Sequence, residues 1–296
     1  METRHAEHGC LFIIGGDEGG KARKRLLSRF VDLAGGSDKR FLLIDAASEN
    51  PQKMARPYHE ALDELGVREH RSLAVCCRAD ANDPDIAAQA AEADGILMTG
   101  GDQKRLLAAI GGTALDRAIH AALKERGACV AGTSAGASAM SGHMLAGGHV
   151  DLSPERGAVT LAAGLGLVQQ VVIDQHFAQR QRLNRLLSVI AQNPWLQGAG
   201  IDENTALVVE RGVGIEVVGE GSVTLVDGKD VISDIADIRE GCTPQMLGVR
   251  LHLLPAGSCF MLPDAPAPRR ISGDARQAPE VLSEFIHHLV KRNPIS

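Results

Sequence analysis

The run Gly132-Thr-Ser-Ala-Gly136 follows an apolar stretch, residues 128–131 (Ala-Cys-Val-Ala), and precedes small residues, 137–140 (Ala-Ser-Ala-Met). This order reads as a buried strand, a sharp glycine-flanked turn with a serine at its tip, and the start of a helix. Such a turn pushes a hydroxyl out at the carboxyl end of a parallel strand. It also sets that hydroxyl beside the first N–H groups of a helix, which have no partner inside the helix and can hold a developing oxyanion. Ser134 is therefore a candidate nucleophile.

The segments before it alternate. Apolar runs at 10–16, 41–45 and 95–99 read as buried strands, with a short run at 73–77. Between them lie helical patterns near 26–33, 58–65, 85–93, 104–110 and 114–125. Strands apolar throughout, alternating with amphipathic helices, predict a parallel sheet covered on both faces. Chemistry in such a sheet gathers at the carboxyl ends of its strands. Here those ends carry Gly15–Gly20, Asp45, Gly100–Gln103 and Ser134.

After residue 204 the pattern changes to short β-type runs at 205–209, 214–218, 222–226, 249–254 and 258–262. These predict an antiparallel extension of the same sheet. A Pro-rich link, 263–268, leads to a last helix over 279–292. With no internal repeat or low-complexity linker, the expectation is one α/β domain over 1–296, its core sheet spanning roughly 9–210 and the extension with its terminal helix 211–296.

Composition narrows the function. The net charge of −6 and the lack of a Lys/Arg block disfavour nucleic acid, and an aromatic content of 3% leaves little for base stacking. No apolar run approaches the ~18 residues of a membrane span. The charged residues 1–8 do not resemble a signal peptide, so a cytoplasmic setting is expected. The six cysteines form no CxxC and lie mostly in apolar runs, which predicts small buried hydrophobes. No metal or cofactor is called for. Gly15–Gly20 has the pattern GGxxGG rather than GxGxxG, so tight turns and close backbone approach outweigh dinucleotide binding.

A serine nucleophile needs a base, and the base an orienting carboxylate. Of eleven histidines, His176 stands out because it ends the strand 171–175, as Ser134 ends its own. His5 and His8 belong to a frayed terminus, and His287 and His288 to a helix face. Asp202 and Glu203 follow another strand-like run. They point opposite ways if extended, so one of the two faces the histidine. Beyond His176, Leu183, Leu186, Leu187 and Ile190 form a helical stripe. Arg180, Arg182 and Arg185 lie in or near that helix's first turn, where the dipole disfavours cations. Three arginines with no interleaved acid read as a carboxylate-binding rim.

Together, Gly100-Gly-Asp-Gln103, Gly132–Ala137, Asp174-Gln-His-Phe177 with its three arginines, and Gly200-Ile-Asp-Glu-Asn204 resemble the cyanophycinases. These form part of the serine peptidase family that also holds the Asp-specific dipeptidase E. The resemblance implies a class I glutamine amidotransferase-like fold, a flavodoxin-like three-layer sandwich with serine in place of cysteine. It implies Ser134 as nucleophile, His176 as base, Glu203 rather than Asp202 as acid, and the N–H groups of Ala135 and Gly101 as oxyanion hole. Gln103, Asp174, Gln175, Arg180, Arg182 and Arg185 would line the pocket, with Asp174 offered to a substrate guanidinium. The implied substrate is cyanophycin, a polyaspartate with arginine on each side chain, cut to β-aspartyl-arginine by a homodimer at a storage granule. An Asp-specific or isoaspartyl dipeptidase, and a non-catalytic binding protein of the same fold, are the alternatives.

Overall fold

The structure, a computed structural model, describes residues 9–148 and 152–291. His5 and His8 lie outside the described residues. The first half alternates strand and helix. It comprises β1 (Cys10–Ile14), α1 (Gly20–Ala34), β2 (Arg40–Ile44), α2 (Pro51–Glu64), β3 (Glu69–Leu73), α3 (Arg78–Ala81) and α4 (Pro84–Ala91). Then come β4 (Gly95–Met98), α5 (Gln103–Ile110), α6 (Ala114–Ala121), β5 (Cys129–Thr133) and α7 (Ala135–Ala139). In the second half, the hairpin β6 (His143–Gly148) and β7 (Val159–Ala163) is followed by β8 (Val171–Gln175), α8 (Leu183–Gln192) and β9 (Gln197–Ile201). Next are β10 (Thr205–Glu210), β11 (Gly214–Gly219), β12 (Ser222–Asp227), the short pair β13 (Ile232–Ser233) and β14 (Met246–Leu247), and β15 (Arg250–Pro255). The last are β16 (Cys259–Met261), β17 (Arg276–Gln277) and α9 (Glu280–Val290).

The fold is mixed α/β, built on a large, mostly parallel sheet. Nine strands run in the order β17-β16-β11-β10-β1-β5-β4-β2-β3. The stretch β1-β5-β4-β2-β3 is parallel throughout. Every residue of β1 is buried because alternate side chains feed different cores. Cys10, Phe12 and Ile14 pack with Leu26, Leu27 and Phe30 of α1 and Leu62 of α2. Leu11 and Ile13 pack on the opposite face with Leu106 of α5 and Ile119 of α6. Phe30 anchors the first face, its ring 5.4 Å from that of Phe41 in an edge-on contact. Removing a fully buried phenylalanine of this kind costs about 3–5 kcal/mol.

The second half departs from the expected single extended sheet. Strands β10, β11 and β16 do extend the large sheet in antiparallel fashion. Strands β12 and β15 instead join β8 and β9 in a second sheet, ordered β15-β12-β9-β8. Its inner face, with Val171, Ile173, Ala199, Ile201, Val223 and Leu225, packs into the same core as Leu11 and Ile13. The strand ending in His176 therefore does not lie beside the strand ending in Ser134. The two meet from separate sheets.

Two smaller expectations also change. β3 is Glu69–Leu73 rather than 73–77. It is a sheet edge, paired only with β2, so its polar residues face solvent and give no apolar signal. Among the cysteines, Cys10, Cys129 and Cys259 are buried, but Cys76, Cys77 and Cys242 are exposed. Among the described residues no single helix is long and apolar enough to cross a membrane.

Candidate active site

Ser134 leaves β5 with φ 52° and ψ −111°, and α7 begins at the next residue. A non-glycine residue held there stores about 1–3 kcal/mol of strain. Tight surroundings maintain it. The Ser134 N–H donates to the Ile14 carbonyl at 3.1 Å, and α7 is buried along its whole length.

His176 directly follows β8 and also has positive φ, 49°. Its N–H donates to the Gly15 carbonyl at 2.8 Å. The ring lies with Nε2 2.9 Å from Ser134 Oγ and Nδ1 2.7 Å from Glu203 Oε1. A carboxylate can only accept, so Nδ1 carries the proton donated to Glu203, and Nε2 is left to accept from the serine hydroxyl. The structure thus brings together all three residues expected from the resemblance. The ring is 6% exposed, which shields the chain of hydrogen bonds from competing water.

The choice between the two adjacent acids is resolved by their contacts. Asp202 Oδ1 accepts from the Ala178 N–H at 3.1 Å, and Oδ2 accepts from the N–H and hydroxyl of Ser222 at 2.9 and 2.8 Å. Asp202 thus ties the turn after His176 to β12. Glu203 points the other way, and Gln179 Oε1 accepts its N–H at 3.0 Å.

Of the expected oxyanion donors, one is the serine's chain neighbour and the other lies in a turn that approaches it. Ala135 is the first residue of α7. Gly101 lies in the turn between β4 and α5 with φ 143°, and a Cβ there would sit 2.2 Å from the Ala47 carbonyl oxygen. Only glycine fits that position. A Cβ on neighbouring Gly100 would stand 4.0 Å from Ser134 Oγ, which shows how closely this turn approaches the hydroxyl. Gln103 opens α5, and its side-chain amide donates to the Leu145 carbonyl at 2.9 Å.

Arg180 and Arg182 do not sit inside a helix, whereas Arg185 lies in the first turn of α8. Residues 177–182 form turns, Gln181 has φ 51°, and α8 starts only after Arg182. Arg185 grips Asp174 with two bonds, Nε to Oδ2 at 2.9 Å and Nη2 to Oδ1. Arg182 Nη1 donates to the Gln175 carbonyl at 2.5 Å, to Gln175 Oε1 at 2.8 Å and to Asp174 Oδ1 at 3.5 Å. Gln175 also donates to Ser138 Oγ in α7 at 3.4 Å. Asp174 is fully buried beneath these arginines, so its carboxylate is their counter-ion rather than a group offered to a ligand. Arg180 is exposed and pairs with no acid among the described residues.

Asp174 is thus shared by Arg182 and Arg185, and Arg180 lies near enough for its charge to act on Arg182. Burial, set against the attraction of Asp174 and aided by the charges of Arg185 and Arg180, lowers the Arg182 guanidinium to about 10. It remains charged at neutral pH, and its Nε has no acceptor among the described residues. The cluster is built to attract a carboxylate. Among the described residues no group of three His, Cys, Asp or Glu is arranged to hold a metal ion.

The loop after β1, expected for tight turns and close approach, comes up against His176. A Cβ on Gly16, whose φ is 99°, would lie 2.6 Å from both Cε1 and Nε2 of His176. The glycine spacing was visible, but its contact with a histidine 160 positions away was not.

The chain is similar to known proteins over most of its length. Residues 11–217 match peptidase family S51. A cyanophycinase of Synechococcus elongatus is 38% identical over 261 residues, covering 88% of this chain and 81% of that protein. That of Geminocystis herdmanii is 39% identical over 251 residues, covering 84% and 92%. That of Trichormus variabilis is 34% identical over 277 residues, covering 92% and 93%. A crystal structure of a peptidase from an acI-B1 Actinobacterium superposes with a TM-score of 0.59 at 25% identity, over 83% of this chain and 97% of that one. With its family and its peptidase relatives in agreement, the chain belongs to peptidase family S51.

Proposed function

We propose that the protein is a serine-type hydrolase that degrades cyanophycin, releasing β-aspartyl-arginine. The observation that carries this reading is the hydrogen-bonded chain Ser134–His176–Glu203 standing beside a three-arginine cluster with one buried counter-ion. Similarity to cyanophycinases of 34–39% identity over 84–92% of the chain supports the substrate.

Ser134 attacks an aspartate backbone carbonyl while His176 takes its proton, and Glu203 holds the resulting imidazolium. The N–H groups of Ala135 and Gly101 receive the oxyanion. His176 then returns the proton to the leaving amine, and water hydrolyses the acyl-enzyme by the same relay. Each branch of the polymer ends in a carboxylate and a guanidinium. Arg180, exposed and without an acidic partner among the described residues, and Arg182, whose Nε has no acceptor among them, suit the carboxylate. Asp174 serves by holding Arg182 and Arg185 in position, and Gln175 and Gln103 complete the wall.

The glutamine amidotransferase-like topology, the single domain over 1–296, the homodimer and the cytoplasmic granule setting belong to this proposal. Incubation with purified cyanophycin and mass analysis of the products tests it. β-Aspartyl-arginine is the expected product. Its absence, with simple Asp-peptides still cleaved, would favour an Asp-specific dipeptidase.

A further inference from the structure

A glutamate in a glycine-rich loop normally faces water. Glu18 is only 5% exposed, and burying a carboxylate demands donors that replace its hydration. The Tyr58 hydroxyl of α2 donates to Oε2 at 2.9 Å, and the Thr133 hydroxyl donates to Oε1. Thr133 is the last residue of β5 and directly precedes the nucleophile. Arg23 of α1 fixes the backbone here, with Nη2 donating to the Glu18 carbonyl at 2.7 Å. Its guanidinium also stands over the Tyr58 ring, 5.3 Å from the centroid. Burial, then the Glu18 charge, pushes the Tyr58 phenol well above its ordinary range, so it stays a donor at every working pH.

The backbone beside Glu18 touches all three catalytic segments. The Ile14 carbonyl accepts from Ser134 N–H at 3.1 Å, that of Gly15 from His176 N–H at 2.8 Å, and that of Gly16 from Asn204 N–H at 3.2 Å. Asn204 follows Glu203, and its Oδ1 accepts the Gly19 N–H at 3.3 Å. Three consecutive carbonyls thus set the spacing of serine, histidine and acid. The loop is strained at Asp17, a non-glycine residue held at φ 49°. Strained backbone persists only when its surroundings over-determine it.

We propose that Glu18 is a positioning residue, locking this loop to α2 and to the nucleophile strand so that the three carbonyls hold the triad in register. The inference rests on the triad reading above. Glu18 touches none of the reacting atoms. Its effect is on rate, through geometry, and not on substrate affinity.

The test uses Glu18→Ala, Glu18→Gln, Tyr58→Phe and Thr133→Val in the full chain. Folded protein is quantified by circular dichroism and urea unfolding. The rate of labelling by a fluorophosphonate is measured per folded molecule, together with kcat and KM on cyanophycin. Displacement of reacting groups by ~1 Å costs about 100-fold in rate, so Glu18→Ala is expected to lose about 10- to 100-fold in labelling rate and in kcat with KM nearly unchanged. Glu18→Gln keeps one acceptor oxygen and recovers part of the loss. Where Glu18→Ala does not fold, the two single-donor variants carry the test, each with a smaller loss of labelling and kcat at constant KM. Labelling and kcat per folded molecule within about twofold of the parent, in Glu18→Ala or in both single-donor variants, overturn the proposal. Failure of the parent protein itself to label would instead strike the triad reading, so the two failures are distinct.

Discussion

Gly16→Ala tests the geometry of the site most directly. The added methyl carbon would stand 2.6 Å from Cε1 and Nε2 of His176 and 3.1 Å from Ser134 Cβ. Ordinary carbon contacts begin near 3.5 Å, so the imidazole or the loop must yield by about 0.9 Å. The ring cannot yield freely, because Glu203 and Ser134 hold it at 2.7 and 2.9 Å. A shift of that size carries the serine–imidazole pair past the ~3.2 Å limit of a good hydrogen bond. Misplacement on this scale costs about 100-fold in rate, which corresponds to about 2.7 kcal/mol in the barrier. The positive φ adds a further ~1–3 kcal/mol of destabilisation in the folded state. The assay is the fluorophosphonate labelling rate, with urea unfolding in parallel. Gly19→Ala is the control, because its φ is −65° and a Cβ there meets nothing within 4 Å. Labelling of Gly16→Ala within about threefold of the parent rate would refute the reasoning, since the ring would then tolerate a contact that the geometry forbids.

Ser134→Ala should lower cyanophycin turnover by about 10⁴-fold or more without unfolding the chain, as measured by release of β-aspartyl-arginine. Arg185→Ala should destabilise the protein by about 3–5 kcal/mol in urea unfolding, because it strips the fully buried Asp174 of its two-pronged partner. Arg180→Ala should leave stability within about 0.5 kcal/mol but raise KM, since Arg180 is exposed and engages no acid among the described residues. Burial raises the carboxyl of Asp45, partly offset by the hydroxyls of Ser72 and Thr99. The folded state therefore holds this proton more tightly than the unfolded chain. Stability from this group is fully present below the unfolded pKa near 3.8 and is lost as pH rises through the raised folded value. Asp45→Asn should flatten that part of the stability–pH curve in urea unfolding, and an unchanged curve would contradict the assignment.

The serine turn was legible because its requirements are local. A strand, a glycine on either side and a helix start all lie within a few positions of residue 134. His176 was legible for the same reason, as the residue that ends a buried strand. The residues alone left Asp202 and Glu203 open, and only the family resemblance favoured Glu203, since the choice depends on Ser222 and the turn at Ala178 claiming Asp202. Strand periodicity also could not tell which sheet β8, β9, β12 and β15 would join, because a strand buried on both faces reads alike in either sheet. Of the three arginines, Arg185 does lie in a helical first turn, but Arg180 and Arg182 precede the helix, because the positive φ at Gln181 delays its start. The burial of Asp174 and of Glu18 came from partners that no spacing rule links to them.

The location of Glu203 has a mechanical consequence. It occupies the three-residue turn between β9, in the four-stranded sheet, and β10, in the nine-stranded one. In the proposed relay the nucleophile comes from the larger layer, the base from the smaller, and the acid from the hinge that joins them. Sliding of one layer against the other by a fraction of a bond length separates the relay while leaving both layers intact. If the proposed relay operates, its rate is a gauge of how two plates of backbone are bolted together. Heat or denaturant should silence it before the spectroscopic signal of either plate begins to fall.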